Sequence, residues 1–424
     1  MEFNKFKLKE LLQVNPRMTL KKGSKAKKIA MENIKEFQKK IDNFTIEEFK
    51  SGSKFQNGDT LLARITPCLE NGKTAYVDIL EDDEIAFGST EFFVLRPIDN
   101  KLDSQFLYYL FRTKKVREII IKSMTGTSGR QRAQKDSILE YECEVPTIEY
   151  QRKIAIILKN LDDKIEINKK IITNLEELSQ TLFKRWFVDF EFPDKDGNPY
   201  KSSGGEMIDS ELGEIPKNWN VLTINDFADD LIITGKTPST KNKDNYSEKG
   251  IPFLTIPDMH TDVFSLNTIK YISEVGIEKV KNKIIPENSL CVSCIATPGL
   301  VSITSSETLT NQQINSFTPK KNDLYYLYFY IKNMKKYIED LGSGGSATLN
   351  LNKTQFSKIK IIRPINDLLK KFHKCVDSNF KIILTKQKEN LKLQELRDTL
   401  LPKLMSGELE IPDDVEVNTD ELSI

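Results

Sequence analysis

The sequence is poor in the residues that build metal and redox sites, with 5 cysteines and 2 histidines in 424 residues. An odd number of irregularly spaced cysteines does not make a disulfide framework and suits a reducing compartment. The chain also lacks any apolar stretch of the roughly 18 residues that a membrane span needs, and its first residues lack the apolar core of a secretory signal. We therefore expect a cytoplasmic protein with no membrane segment and no metal site.

A large excess of charge is also missing, since the formal net charge is +1. Proteins that bind nucleic acid through phosphates normally show a visible basic excess. The basic residues are instead concentrated at the start, where residues 1–55 hold 14 Lys and Arg against 7 Asp and Glu. The run from Lys21 to Lys28 is either a solvated surface or a phosphate-contacting patch, and the sequence leaves both open. Residues 408–424, which are rich in acid, are predicted to form a disordered tail.

What the sequence does contain is an internal repeat. Residues 132–187 align with residues 350–405 at an offset of 218 and without a gap, so that Pro146 meets Pro364. Upstream of this block the similarity is looser and needs offsets of 222 and 230, because the intervening loops differ in length. The C-terminal part of each half is therefore constant, while its N-terminal part varies.

The constant part of each half is predicted to be one long helix, because apolar residues recur there at three- and four-residue spacing. Each helix starts just after a proline, and the two are assigned to residues 148–190 and 365–407. Leu178 is expected to continue the apolar seam of the first helix. The residues predicted to form the coiled coil or subunit interface are Leu158, Leu161, Ile165, Leu175, Leu182, Val376, Ile383, Leu393 and Leu400.

Polar residues interrupt this seam at its middle. The repeat places Asn168 with Lys386, and Ile172 with Asn390. A buried polar residue in an apolar seam costs stability but fixes register and partner. A stutter at which these residues face solvent explains the same pattern, and the sequence does not separate the two.

The varied parts have the composition of mixed α/β domains, assigned to residues 1–147 and 218–364, with a turn-rich connector over residues 191–217. Helices are expected at residues 104–121 and 323–341. Short β-favouring runs bounded by turn residues predict strands at residues 60–65, 91–96, 290–295 and 358–363.

The predicted fold is therefore α/β (α+β), with two mixed domains joined by two long antiparallel coiled-coil helices in a pseudo-two-fold dumbbell. The helices run antiparallel because only then do the two apolar seams cover each other. Two heads held one or more DNA turns apart, about 34 Å each, match a target made of two half-sites and a spacer. Because the heads differ in sequence, the half-sites should differ too. The geometry predicts an asymmetric, bipartite DNA target.

Several segments resemble the specificity subunits of type I restriction-modification enzymes, and together they cover nearly the whole chain. The first half contributes the stretch from Gly58 to Lys73, which includes Ala-Arg-Ile-Thr-Pro, and the Gly-Thr-Ser-Gly-Arg-Gln stretch that starts at Gly126. The matching segments of the second half are residues 212–219, 233–239 and 345–353. Each segment alone is a weak signal, but with the repeat the resemblance is strong.

The resemblance implies a non-catalytic subunit with two target-recognition domains, acting in defence against foreign DNA. Its implied partners are double-stranded DNA, two methylation subunits and the restriction or motor subunits. It also implies that S-adenosylmethionine, ATP and Mg are bound by those partners, with no cofactor in this chain. Two other functions stay open: a helical scaffold that joins proteins without DNA, and a solitary DNA-binding regulator, which the near-neutral charge disfavours.

The candidate DNA-binding residues lie in polar loops flanked by glycine, where backbone can approach DNA and polar side chains can reach bases or phosphates. The first half lacks the Gly-Lys-Thr-Pro-Ser stretch of the second, which leaves Lys21 to Lys28 as candidates for its early phosphate contacts. For any single residue, a purely structural role in its loop stays open. The candidates are Arg64, Lys73, Arg130, Gln131 and Arg132, followed in the second half by Lys236, Thr237, Ser239, Asn350 and Asn352.

Two motifs imitate other chemistry. Cys291 and Cys294 have the spacing of a metal knuckle, but no second pair accompanies them and they alternate on a predicted strand. Gly235-Lys236-Thr237 resembles the end of a phosphate-binding loop, but Asp230 stands where the first glycine must be. We expect neither zinc nor ATP to bind this chain.

Overall fold

The computed structural model describes residues 3–127, 129–260, 262–343 and 349–412. Contacts divide the chain into two units. The first unit consists of the described parts of Met1–Glu166 and Leu391–Ile424, and the second consists of those of Ile167–Asn390. Residues 413–424, which make up most of the predicted disordered tail, lie outside the described residues.

The first unit begins with one of the two predicted recognition domains, which is built of short strands. They form a mixed sheet in the order β4-β3-β8-β5, an antiparallel sheet in the order β2-β9-β6-β7, and the pair β1-β10. Strands β6 and β9 confirm two of the predicted strands. The strands are β1 Phe3–Lys7, β2 Leu12–Val14, β3 Lys25–Ile29, β4 Thr45–Glu48, β5 Ser53–Phe55, β6 Thr60–Ala63, β7 Thr74–Tyr76, β8 Ala86–Gly88, β9 Phe92–Pro97 and β10 Glu142–Pro146.

Three short helices of the same domain follow β9 within the described residues: α1 Ser104–Arg112, α2 Lys114–Lys122 and α3 Lys135–Leu139. The sequence predicted a single helix over residues 104–121. The structure divides it at Thr113, whose backbone is extended and whose side chain accepts a hydrogen bond from the Val116 amide. A threonine in this conformation caps a new helix, and this ends the helix before it.

The second unit repeats this architecture. Its sheets have the orders β14-β22-β19-β20-β17 and β15-β18-β16-β21, and hairpin β11-β12 lies in the connector. The strands are β11 Met207–Ser210, β12 Gly213–Pro216, β13 Asn220–Thr223, β14 Ile233–Thr234, β15 Tyr246–Ser247, β16 Ile251–Leu254, β17 Phe264–Ser265, β18 Tyr271–Ile272, β19 Leu290–Ser293, β20 Val301–Thr304, β21 Leu309–Thr310, β22 Ile314–Phe317 and β23 Lys360–Arg363.

The short helices of the second unit are α5 Ile224–Phe227, α6 Glu274–Glu278, α7 Leu324–Asn333, α8 Lys335–Gly342 and α9 Lys353–Ser357. Helices α7 and α8 occupy the predicted region 323–341, and again two helices replace one.

Strand pairing shows that the loose upstream similarity is a structural repeat. The pair β6·β9 of the first unit corresponds to β19·β22, and both pairs are antiparallel. The parallel pair β3·β8 corresponds to the parallel pair β16·β21. The pair β1·β10, which joins the first strand of the domain to the strand before the long helix, corresponds to β13·β23. The two domains therefore share these three strand pairings, although their sheets differ in the edge strands.

The two long helices confirm the central prediction from the repeat. Helix α4 spans Ile148–Phe183 and continues as a π-helical turn over Lys184–Val188, and helix α10 spans Asn366–Ser406. Within the first unit, Asp162 of α4 pairs with Arg397 of α10, and the Tyr150 hydroxyl accepts a hydrogen bond from the amide of the later residue Ile411. The second unit pairs Asn168 with Asn390 and Ser179 with Asn379. The helix segments in each unit therefore run antiparallel.

Most of the predicted seam is covered. Leu158, Ile165, Val376 and Ile383 are buried, and the other five predicted seam residues are half-buried: Leu161, Leu175, Leu182, Leu393 and Leu400.

The prediction for Leu178 is wrong, since 61% of this side chain is exposed; its repeat partner Leu396 is 46% exposed. Ser179 and Phe183 are buried on this part of α4. The covered face of this part of α4 therefore runs through Ser179 and Phe183 and leaves Leu178 outside it.

The described helices include none long and apolar enough to cross a membrane.

Candidate nucleic-acid interface

Two loops meet in the first recognition domain, and backbone hydrogen bonds hold them together. The loop after β6 starts at Arg64, whose amide donates to the Glu91 carbonyl at 2.9 Å. The Arg64 carbonyl accepts from the Ala133 amide at 2.8 Å, and the Thr66 amide donates to the Gln131 carbonyl at 3.1 Å. The structure thus brings together four of the five predicted residues of this half: Arg64, Arg130, Gln131 and Arg132.

The second recognition domain has the same backbone arrangement. The Cys294 amide donates to the Gln313 carbonyl, and the Cys294 carbonyl accepts from the Leu351 amide, both at 2.8 Å. The Ala296 amide donates to the Leu349 carbonyl at 3.0 Å. The loop that carries Asn350 and Asn352 therefore lies where the loop with Arg130, Gln131 and Arg132 lies in the first domain. We call this shared arrangement the loop junction.

Charged side chains surround the junction of the first domain. Arg132 binds Glu91 with two nitrogens, Nη2 to Oε1 at 2.6 Å and Nε to Oε2 at 2.9 Å. This guanidinium lowers the pKa of Glu91 below its ordinary value. The guanidinium of Arg64 lies 4.6 Å from the ring centre of Phe93, while Arg130 is exposed. Glu91 was not among the residues predicted from the sequence, although the repeat aligns it with Gln313.

Lys73 lies away from the junction. Its ammonium donates to the backbone carbonyl of Met31 at 3.0 Å, and its side chain is half-buried. The structure therefore gives this predicted DNA-binding residue an intramolecular partner.

The second domain places its candidates on either side of the segment before β22. Lys236 and Ser239 are exposed, and Thr237 donates a hydrogen bond to Oε1 of Gln312 at 2.7 Å. Asn350 is exposed in the loop before α9. In sequence, Gln312 and Gln313 lie between these two groups of candidates, and Gln312 contacts Thr237. Both glutamines therefore belong to the same polar surface, but they were not among the residues predicted from the sequence.

Asn352 has the structural role that the sequence left open. Its side chain accepts a hydrogen bond from the Gln355 amide at 2.9 Å, and the Asn352 amide donates in return to the side-chain oxygen of Gln355 at 3.2 Å. This reciprocal pair is a capping box at the start of α9. Segment 344–348, part of the motif that precedes Asn352, lies outside the described residues.

The glycine that opens Gly235-Lys236-Thr237 is required by close packing of backbone. A Cβ atom at Gly235 would lie 2.2 Å from the carbonyl oxygen of Asn311 and 2.3 Å from that of Thr310. The Lys236 amide donates to the same Thr310 carbonyl at 2.9 Å. The motif thus fixes this loop against strand β21, and its resemblance to a phosphate-binding loop has a packing explanation.

The basic run of the first domain is partly neutralised. Lys27 pairs with Glu84 at 2.9 Å and Lys28 with Glu47 at 3.0 Å. Lys21, Lys22 and Lys25 are exposed. These three lysines are the part of the run that is best placed to meet phosphates.

The Cys291 and Cys294 side chains are buried, and burial raises the pKa of Cys291 to about 12 and that of Cys294 to about 11. Their sulfur atoms face Ser316 and Asn315 respectively. Both cysteines therefore act as core residues of the sheet.

Comparison with known proteins identifies the family. Residues 1–177 and 216–394 match the model of the type I restriction modification DNA specificity domain. The chain is 37% identical over 409 residues to the specificity subunit of the type I restriction enzyme HindI from Haemophilus influenzae, covering 84% of this chain and 87% of that protein. The MjaIX specificity subunit of Methanocaldococcus jannaschii is 29% identical, over 73% of this chain and 69% of that protein.

A solved structure agrees in fold. The S subunit of a type I restriction-modification system from M. genitalium superposes with a TM-score of 0.50 at 18% identity, over 95% of this chain and 96% of that one. This agreement confirms the mixed α/β fold class. Together, the family model and the relatives show that the chain belongs to the specificity subunits of type I restriction-modification systems, non-catalytic subunits that recognise a DNA sequence.

Proposed function

We propose that the two recognition domains each bind one half of an asymmetric, bipartite DNA target. The observation that carries this proposal is the loop junction, which repeats the same backbone hydrogen bonds in both domains with different side chains around them. A common framework with varied polar groups suits two readers of the same kind and different specificity.

The proposed DNA contacts divide into two groups. The exposed Arg130, Lys236 and Asn350, with Arg64 and Gln131, reach base edges or phosphates from the loop junctions. Lys21, Lys22 and Lys25 contact phosphates and position the first domain. With a net charge of +1, the chain alone should bind DNA weakly, so that partner subunits supply part of the affinity.

We infer that the long helices bind the other subunits of the complex. Exposed Leu178 and Leu396, which the repeat relates to each other, provide two similar apolar positions on α4 and α10. Two such positions favour two copies of a methylation subunit. On this proposal S-adenosylmethionine, ATP and Mg bind to the methylation and restriction subunits, and none of them binds to this chain.

The test is reconstitution. Purified chain, the methylation subunits of its own system and both together are incubated with genomic DNA and S-adenosylmethionine, and methylated positions are mapped. Methyl transfer should need both components and should occur at one split sequence. A matched DNA with either half-site scrambled should lose methylation.

A protein scaffold that does not touch DNA is the second candidate, and the same experiment separates it. If the chain only joins proteins, the methylated sequence will not depend on which specificity chain is added. Methyl transfer by the purified chain alone would contradict the non-catalytic role.

A further inference from the structure

The two loop junctions differ at four equivalent positions, which we call the variable cluster. In the first domain it consists of Arg64, Glu91, Phe93 and Arg132. In the second domain the equivalent residues are Cys294, Gln313, Asn315 and Asn350. The backbone hydrogen bonds of the junction define the equivalence of the first, second and fourth positions. Strand register defines the third, because Phe93 pairs with Leu62 as Asn315 pairs with Val292.

The cluster of the first domain carries an excess of positive charge. It holds two guanidinium groups and one carboxylate, and Arg132 takes both oxygens of Glu91. Because Glu91 is already occupied, it does not capture Arg64. None of the described residues accepts a hydrogen bond from the Arg64 guanidinium, and its Nε is buried without a partner. Arg64 therefore retains unused hydrogen-bond donors.

The aromatic ring beneath Arg64 orients these donors. Its guanidinium lies 4.6 Å from the centre of the buried Phe93 ring, within the distance of a cation–π contact. Stacking on a ring restricts a planar guanidinium, so that its fork is presented in a defined plane. The short backbone bonds on both sides of Arg64 fix the position of its Cα atom. The result is a pre-oriented, cationic, two-pronged donor.

The cluster of the second domain carries no charge, and its Gln313 and Asn315 side chains already have partners within the domain. Asn315 donates to the sulfur of Cys294 at 3.3 Å, and Gln313 accepts from the Asn311 amide group at 2.9 Å. Cys294 is buried, so nothing at its position extends toward a ligand. The same framework thus presents a guanidinium in one domain and no donor of this kind in the other.

We infer that Arg64 reads a guanine in the half-site of the first domain, and that the second domain makes no such contact from the equivalent position. The inference rests on the proposed DNA-binding function. Guanine presents two adjacent acceptors, O6 and N7, to the major groove, and they match the two donors of an arginine fork. Glu91 and Arg132 act as positioning residues, because they leave Arg64 free and hold the loop beside it.

The experiment selects bound sequences from a random duplex DNA library. The complete chain, assembled with the methylation subunits of its own system, is compared with the variants Arg64→Lys and Arg64→Gln. Lysine keeps the charge but lacks the planar fork. We expect Arg64→Lys to reduce the preference for guanine at one position of one half-site by on the order of tenfold.

Arg64→Gln gives a second, positive readout, since glutamine pairs with adenine in the same groove. We expect the preferred base at that position to move from guanine toward adenine. The matched control is Cys294→Ala, which alters the equivalent position of the second domain and should leave both half-sites unchanged. Thermal unfolding of each variant verifies that the chain is folded.

Three results would overturn the inference. In the first, both Arg64 variants select the wild-type sequence, which would leave DNA recognition intact and remove Arg64 from it. In the second, Arg64→Gln weakens binding equally for all sequences and reduces the salt dependence, as loss of a phosphate contact does. If the wild-type complex selects no sequence at all, the proposed function fails together with the inference.

Discussion

Asp162 of α4 and Arg397 of α10 form a buried ion pair in the first unit, with an Nη1 to Oδ1 distance of 2.7 Å and side chains that are each 7% exposed. The hydroxyl group of Tyr109 on α1 donates a hydrogen bond to the other oxygen of Asp162 at 2.7 Å. The repeat places Phe380 and Ser179 at the equivalent helix positions in the second unit, where Phe329 packs on Phe380. The long helices thus contact the short helix of the domain through polar groups in the first unit, whereas the second unit has the aromatic pair Phe329 and Phe380 at this place.

Removing one partner of this pair should be costly. Arg397→Ala leaves the Asp162 carboxylate buried without its counter-charge, so we expect the free energy of unfolding to fall by about 3 to 5 kcal/mol. The matched control is Asp163→Ala, which breaks the half-exposed pair with Lys159 on the same helix and should cost less than about 1 kcal/mol. Urea unfolding of the two variants makes the comparison. Equal effects would show that burial does not govern the Asp162–Arg397 pair.

The second unit suggests how the loss can be reversed. The triple variant Tyr109→Phe, Asp162→Phe, Arg397→Ser removes the phenol that binds Asp162 and introduces the residues that the repeat places at the two helix positions of the second unit. Because an apolar contact can replace a buried ion pair with little loss of stability, we expect it to recover most of the stability that Arg397→Ala loses. A triple variant that is less stable than Arg397→Ala would contradict the equivalence of the two contacts.

Lys39 should make the stability of the first unit depend on pH. Its ammonium lies 5.3 Å from the ring centres of Tyr76 and Tyr109 and 5.8 Å from that of Tyr108. Burial lowers the pKa of Lys39 to about 8, from 10.5 in the unfolded chain. Between these values the unfolded chain binds more protons, so the contribution of Lys39 to stability rises with pH and is least below pH 8.

Comparison with Lys39→Met isolates this contribution from that of the buried cysteines and tyrosines. The free energy of unfolding of the wild type, relative to the variant, should increase by about 2 to 3 kcal/mol between pH 7.5 and 10.5. Urea unfolding at several pH values measures it. A constant difference between the two chains would mean that the pKa of Lys39 is not lowered in the folded state.

Asn168 and Asn390 should stabilise the helix contact as a pair. Asn168 Nδ2 donates to Asn390 Oδ1 at 2.9 Å, and both side chains are buried. Asn168→Leu leaves the Asn390 amide without this partner, and we expect a loss of about 1 to 3 kcal/mol in the free energy of unfolding. The double variant Asn168→Leu, Asn390→Leu should restore stability. Additive losses in urea unfolding would argue that each residue acts independently.

The sequence predicted the features that rest on local patterns. Apolar spacing and the flanking prolines located α4 and α10, whose observed bounds are Ile148–Phe183 and Asn366–Ser406. The same spacing placed Leu178 in the seam, where it is exposed. Which face of a helix is covered depends on its tertiary contacts, and these are not visible in the periodicity of one helix.

The candidate site was predicted in part. The glycine-flanked loops identified Arg64, Arg130, Gln131 and Arg132, which the structure brings together. The pairing of Arg132 depends on Glu91, which lies in the turn just before β9 and has no sequence signature of its own. Asn352 was selected by composition, yet it caps α9. One-dimensional patterns locate polar loops, but they do not show which polar groups are already used within the fold.

Exchange of one domain tests most directly whether each recognition domain reads one half-site. The pair β1·β10 closes the first domain, so residues 1–147 can be replaced as one piece by those of another family member. The donor should retain the equivalents of Tyr109 and Arg112, which contact Asp162 and Asp398. Mapping of the methylated sequence should then show one changed half-site, with the other half-site and the spacer unchanged. A change in both half-sites, or in neither, would contradict the assignment of one half-site to each domain.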